Sequence, residues 1–201
     1  LLDAMTVYGT QLLLPFSNYP VGVDSVFIID GLYTLPLLVG TGMALALQRL
    51  RPNAIGLGLS SAYLVWGVGV QMHVQGIARA SLAAQGVQTE HLLVTPTPFN
   101  TIAWRVVVMQ REHYLEGFYS LFDDKPTITF ERFDRGAALE AELGPLDAVQ
   151  RVAAFSGGFY ALRQDGPRVL LSDLRMGQEP VYIFTFEIAQ RASPPQALAV
   201  P

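Results

Sequence analysis

The sequence contains no cysteine. Disulfides, thiolate metal sites and cysteine nucleophiles are therefore excluded, and the redox compartment is left open. Charge is scarce as well: charged side chains make up 15% of the 201 residues, against roughly a quarter in soluble domains. The shortage is local. Between Gly31 and Ile77 the only charged side chains are Arg49 and Arg51, whereas Arg79 to Arg191 has the composition of an ordinary soluble domain. With a net charge of −4 and no basic block, nucleic-acid binding has no electrostatic basis. There is no phosphate loop, no dinucleotide fingerprint and no internal repeat, and Ser156-Gly157-Gly158 lacks the surrounding pattern of a nucleophile elbow. No signal peptide precedes Leu1, which falls in mid-element. The sequence is accordingly read as the C-terminal part of a longer chain.

What is abundant is apolar surface: hydrophobic residues reach 51% and the mean hydropathy is +0.33. Leu1 to Leu14 reads as the last turns of a helix that end at Pro15, followed by a loop through Asp24. This N-terminal segment is expected to be re-entrant or interfacial. From Gly31 to Leu47 runs an uncharged stretch of about 17 residues, short for a membrane span, with Pro36 near its start. A second uncharged stretch of about 21 residues, 54–74, fits a full span, with Gly56, Gly58, Gly67 and Gly69 allowing close helix approach. Its helix is expected to continue to Gly86. Arg49 and Arg51 in the intervening turn place that turn in the cytoplasm by the positive-inside rule, and hence the later residues outside it.

Beyond Gly86 the period changes to two. HLLVTP, IAWRVVVM, YLEGFYSLF, TITFERF, AAFSGGFYALR, RVLLSDL and VYIFTFEIA predict six or seven strands between residues 90 and 190. Asp165-Gly166 marks a hairpin, and a helical piece over Ala137–Val152 interrupts the series. The expected fold is thus a membrane α-helical region over 1–86 with two transmembrane helices. An α+β, mostly antiparallel β-rich soluble domain over 90–190 follows, and then a flexible tail over 191–201.

The most telling segment chemically is Leu1 to Asp30. Asp3 and Thr6, three residues apart, would share a helix face, and a carboxylate beside a hydroxyl suits a hard-metal ligand with its support. A solvated interfacial residue suits Asp3 equally well. Asp30, just before Gly31-Leu32, reads as a helix N-cap. His73, His91 and His113 show no metal-ligand spacing and read as an interfacial and two surface residues. Trp104 alternates with Val106 and Val108 and reads as core; Asp123-Asp124-Lys125-Pro126 reads as a turn. Asp173 and Arg175 can pair to fix a turn at Gly177.

The strings LLDAMTVYGTQLLLPFS and DSVFIIDGLYTLPLL resemble the YdjM-like family of inner-membrane proteins assigned as metal-dependent hydrolases. The later pieces VTPTPFNTIAWRVV, EGFYSL and LSDLRMGQEPVYIFTFEI are similar to the C-terminal domain of one branch of that family. The resemblance implies that Asp3 is one ligand of a divalent metal, zinc by analogy with phospholipase C-like enzymes, whose histidine ligands would precede Leu1. It implies site-shaping roles for Thr6, Tyr8, Gly9 and Asp30. The family often carries proline after that aspartate, where this chain has Gly31. One carboxylate cannot hold a catalytic zinc, which takes about three protein ligands, so the chain alone is expected to be inactive.

Two functions follow from this reading. In the first, the parent is a membrane-bound hydrolase in which metal-bound water attacks an ester or phosphoester of a lipid-like substrate. In the second, a non-catalytic, membrane-anchored β domain binds an envelope partner or ligand, a reading that an exposed aromatic patch at Tyr114, Phe118 and Tyr119 would favour. The lipid bilayer is a partner in both, and the bacterial inner membrane the expected location.

Overall fold

The computed structural model describes residues 2–17, 20–88, 91–190 and 196–197. The tail expected at 191–201 lies outside them, apart from Gln196–Ala197. By contact density the chain divides into two units. The first comprises residues 1–87, 94–106 and 117–129, and the second 88–93, 107–116 and 130–201.

Two helices dominate the first unit. Helix α1 (Gly31–Leu47) starts at Asp30, whose Oδ1 accepts the backbone N–H groups of Leu32 at 2.8 Å and Tyr33 at 3.3 Å. This is the N-cap that the sequence predicts, and it satisfies donors that have no partner inside the helix. Pro36 sits beyond the first turn rather than within it, and α1 continues through it to a left-handed Gln48. Helix α2 (Arg51–Ala84) follows, with Pro52 near its start. Glycines let the two helices close: a Cβ at Gly40 would lie 2.8 Å from the Pro52 carbonyl oxygen, and one at Gly56 2.3 Å from that of Pro36. Polar side chains tie the same contact, with Ser60 Oγ donating to the Tyr33 carbonyl at 2.7 Å and Thr41 Oγ1 to Asn53 Oδ1 at 3.1 Å.

The outer faces of both helices are apolar and uncovered. Leu35, Leu38 and Leu45 of α1 and Leu57, Val65 and Met72 of α2 are each more than half exposed. Among the described residues α2 alone is long and apolar enough to cross a membrane; α1 is apolar but has 17 residues. From Val74 onward α2 changes character. Val74, Ile77, Ala78 and Leu82 are buried, Ser81 Oγ accepts the Ile128 N–H at 3.0 Å, and Gln85 Nε2 donates to the Ile128 carbonyl.

The segment before α1 departs from expectation. Instead of closing turns of an α-helix, it forms one 3₁₀ turn (Asp3–Met5) and then folds back. Thr10 and Val21 exchange both backbone hydrogen bonds at 2.9 Å, and the Val23 and Ser25 N–H groups bond to the Ala4 and Met5 carbonyls. Gly9, at φ +66°, makes the reversal; a Cβ there would meet the Val21 carbonyl at 2.6 Å.

The rest of the chain is rich in strands. Strands β1 (His91–Pro96), β2 (Ala103–Met109), β3 (His113–Ser120) and β4 (Phe130–Asp134) form one sheet in that order, and the unit boundaries fall within the first three. Strands β5 (Tyr160–Asp165), β6 (Arg168–Asp173), β9 (Thr185–Gln190) and β10 (Gln196–Ala197) form an antiparallel sheet in the order β10-β9-β6-β5. Asp165 pairs with Arg168 across the Gly166 turn, as the hairpin signal requires. The short pair β7 (Gly177–Gln178) and β8 (Val181–Tyr182) completes the set.

Helices α3 (Ala137–Leu143) and α4 (Asp147–Phe155), broken at Gly144-Pro145, share a core with Leu162, Leu171 and Ile188 of the sheet. AAFSGGFYALR is therefore not one strand. Ala148, Val149 and Val152 recur at helical spacing, α4 runs on to Phe155, and left-handed Gly157 and Gly158 turn the chain into β5. VYIFTFEIA likewise divides, between β8 and β9.

Candidate functional site

In the first unit the sequence-predicted residues Asp3, Thr6, Tyr8 and Gly9 share the folded-back loop. Thr6 is buried and its Oγ1 donates to the Asp3 backbone carbonyl at 2.8 Å, closing the 3₁₀ turn. The Thr6 hydroxyl is thus engaged by the Asp3 backbone rather than by its carboxylate. Asp3 itself is exposed. Nearby in the sequence, Thr10 Oγ1 and Ser25 Oγ are buried without a hydrogen-bond partner among the described residues. Asp30 is buried and engaged elsewhere: beyond capping α1, its Oδ2 accepts the Tyr63 hydroxyl at 2.7 Å, tying the start of α1 to the middle of α2. Among the described residues no three His, Asp or Glu side chains converge. Asp3 alone does not fit a metal centre, which needs about three protein ligands.

The second unit holds a cluster that the sequence reading misses. Glu179, on the β7–β8 turn, accepts the buried Tyr114 hydroxyl, which lies 3.1 Å from the Tyr182 hydroxyl. The Glu179 N–H in turn donates to Glu116 Oε2 at 3.2 Å. Burial, with the bond to Glu179 next in weight, lifts the Tyr114 phenol above its ordinary range. Beside this cluster is a cavity of about 410 Å³ lined by Phe133, Asp134, Leu139, Arg163, Glu179 and Tyr182 among others. A second acid–phenol contact joins Glu140 to Tyr160, whose hydroxyl is pushed up to about 12, mainly by burial. Arg135 completes that group by pairing with Glu140 at 2.8 Å. The Tyr114, Glu116, Glu179 and Tyr182 cluster has no local sequence signal, because its partners lie more than 60 residues apart.

Other sequence expectations resolve in both directions. Trp104 is wholly buried, its Nε1 donating to the Thr101 carbonyl, as a core residue should be. Tyr114 and Tyr119 are buried and only Phe118, at 45%, is exposed, so the three make no aromatic surface. His91 is exposed, but His113 is not simply a surface residue: its Nε2 is buried without a partner among the described residues, and desolvation lowers its pKa. Asp173 and Arg175 do pair, and in the interior rather than at the surface.

A family model described as YdjM inner membrane protein matches residues 1–74. Residues 1–74 are YdjM-like. This YdjM-like segment takes in the folded-back loop with Asp3, Thr6, Tyr8 and Gly9, the Asp30 cap, all of α1, and α2 as far as Val74. It ends at Val74, so the match covers the portion of α2 whose large apolar side chains are uncovered. That family is described as one of inner-membrane proteins. No curated protein and no solved structure matches the chain.

Proposed function

We propose that the chain is the membrane-anchored part of a YdjM-like inner-membrane protein. In this reading α1 and α2 cross the bilayer as a hairpin, and the sheet-rich second unit binds a ligand in water. The observation that carries the anchor is the exposed apolar surface on both helices, which a soluble fold would bury. The hydrocarbon layer is about 30 Å thick, and α1 at ~1.5 Å per residue rises about 25 Å, close enough for modest bilayer thinning. Arg49 and Arg51 set the connecting turn on the cytoplasmic side. The cavity beside Glu179 supports the ligand-binding half of the proposal.

The cysteine-free chain makes sidedness direct to test. Single cysteines at Gln48 and Asp123 should react differently with a membrane-impermeant maleimide applied to spheroplasts. Asp123→Cys is expected to label at once, and Gln48→Cys only after lysis. Labelling of both from outside would mean that the hairpin does not cross.

A second reading makes the parent a metal-dependent hydrolase of an ester or phosphoester, with a lipid-like substrate and Asp3 as one ligand, zinc being the metal proposed. It is favoured by the exposed carboxylate of Asp3 on a loop pinned by backbone hydrogen bonds within the YdjM-like segment. The chain's own described residues do not complete such a centre, and we derive no catalytic step through it. Elemental analysis of the full-length parent and its Asp3→Ala variant decides the matter. About one divalent ion per chain, lost in the variant, is the expected result for a metal hydrolase; no ion in either removes this reading.

A further inference from the structure

One face of α2 is shaped as a groove. Trp66, Gly69, Val70 and His73, at i, i+3, i+4 and i+7, line a shallow hollow of about 290 Å³ with Leu121 as its other wall. Gly69 is its floor: a Cβ there would meet nothing within 4 Å. The lining is apolar except for His73, at one end.

The groove's height follows from the helix rise. If the Arg51 turn marks one edge of the hydrocarbon, Trp66 lies about 22 Å along α2, Gly69 about 27 Å and His73 about 33 Å. The hydrocarbon is about 30 Å thick. Trp66 to Val70 thus fall in its outer part, and His73 at the headgroup boundary. Two aromatic rings agree with that level. Trp66 is 54% exposed and its indole favours the membrane–water interface, while Phe122, next to the wall residue Leu121, is an apolar ring 81% exposed.

We propose that this groove holds one acyl chain of a bilayer phospholipid, laid over Gly69 between Trp66 and Leu121, with its phosphate at the level of His73. The proposal rests on the anchored reading above. An apolar hollow opening towards lipid is filled by the solvent present there, and a single polar group at its shallow end matches the polarity gradient of a phospholipid. A glycine floor admits a chain where a larger side chain would fill the space.

The test uses the full chain extracted from membranes in mild detergent, with retained phospholipid counted by native mass spectrometry and membrane integration measured separately by carbonate extraction. Gly69→Leu fills the groove. Gly58→Leu, where a Cβ also meets open space but outside the groove, is the control. Wild type and Gly58→Leu should each retain about one phospholipid, and Gly69→Leu about tenfold less, with all three integrated. Equal retention by Gly69→Leu and wild type, or no lipid on an integrated wild type, overturns the groove and leaves the anchor standing. Release of the wild type by carbonate overturns both.

Discussion

Gly56→Leu should separate α1 from α2. A Cβ at this position would sit 2.3 Å from the Pro36 carbonyl oxygen and 3.2 Å from the Gly40 Cα, so the obstacle is backbone on both sides. Neither can move without shifting a helix. The rest of the leucine side chain has no room until the axes part, and the hydrogen bond from Ser60 to Tyr33 is broken with them. Overpacking of this kind costs roughly 2–3 kcal/mol, or roughly a 30-fold or larger change in the closed population. The Thr41–Asn53 contact provides the readout, since these side chains meet at 3.1 Å. A Thr41→Cys/Asn53→Cys pair should cross-link readily in the otherwise wild-type chain and poorly beside Gly56→Leu. Gly58→Leu, facing open space, should leave the reaction unchanged. Full cross-linking beside Gly56→Leu would show that the glycines do not set the helix contact.

The second large effect is expected at the buried ion pair. Asp173 is fully buried and Arg175 is 9% exposed. Arg175 Nε and Nη2 donate to the two carboxylate oxygens at 3.0 and 2.7 Å, while the Arg175 N–H also bonds to Asp173 Oδ1. The guanidinium covers the Phe155 ring at 4.5 Å, so the pair also joins α4 to the end of β6. Arg175→Met keeps much of the side-chain volume but strands a carboxylate in the interior. The loss is about 3–5 kcal/mol, which for a chain of this size lowers the melting temperature by roughly 10 °C or more. Replacing both, as Asp173→Leu/Arg175→Met, removes the stranded charge and should restore most of the stability. Thermal unfolding followed by circular dichroism of the full chain in detergent distinguishes the cases. A double variant as unstable as the single would mean that the pair's hydrogen bonds, rather than the uncompensated charge, carry the effect.

How much of this was readable in the sequence depended on how local the cause was. Asp30 before Gly31-Leu32 announces a cap, and it caps; Asp165-Gly166 announces a hairpin, and β5 and β6 pair across it. The Asp173–Arg175 pair is legible from spacing of two, but its burial is not, because the residues that cover it come from elsewhere in the chain. The misread segments share one feature. Leu2 to Thr10 has helical composition, yet Ala4, Met5 and Thr10 bond to the backbone of Val21, Val23, Ser25 and Val26, a pairing that no window of ten residues contains. Ala153 to Phe155 looked like the start of a strand because the apolar spacing that makes it helical lies upstream, at Ala148, Val149 and Val152. The Glu179–Tyr114 contact was beyond reach for the same reason, with the two residues meeting only through the fold. For the candidate site, the motif points to Asp3, and the structure shows an exposed carboxylate on a folded-back loop.

One dimension of α2 carries a mechanical consequence. Its 34 residues rise about 51 Å, of which about 30 Å would suffice for the hydrocarbon in the anchored reading, so that about 20 Å would stand clear on one side. That free portion is unbroken by proline and is fastened near its tip to Ile128 by Ser81 and Gln85. In that reading it would act as a lever with its fulcrum at the membrane surface. A change of about 10° in helix tilt, of the kind that bilayer thickness imposes, swings the tip by about 3–4 Å. A change in bilayer thickness would then reach the strand-connecting segment that Ile128 belongs to.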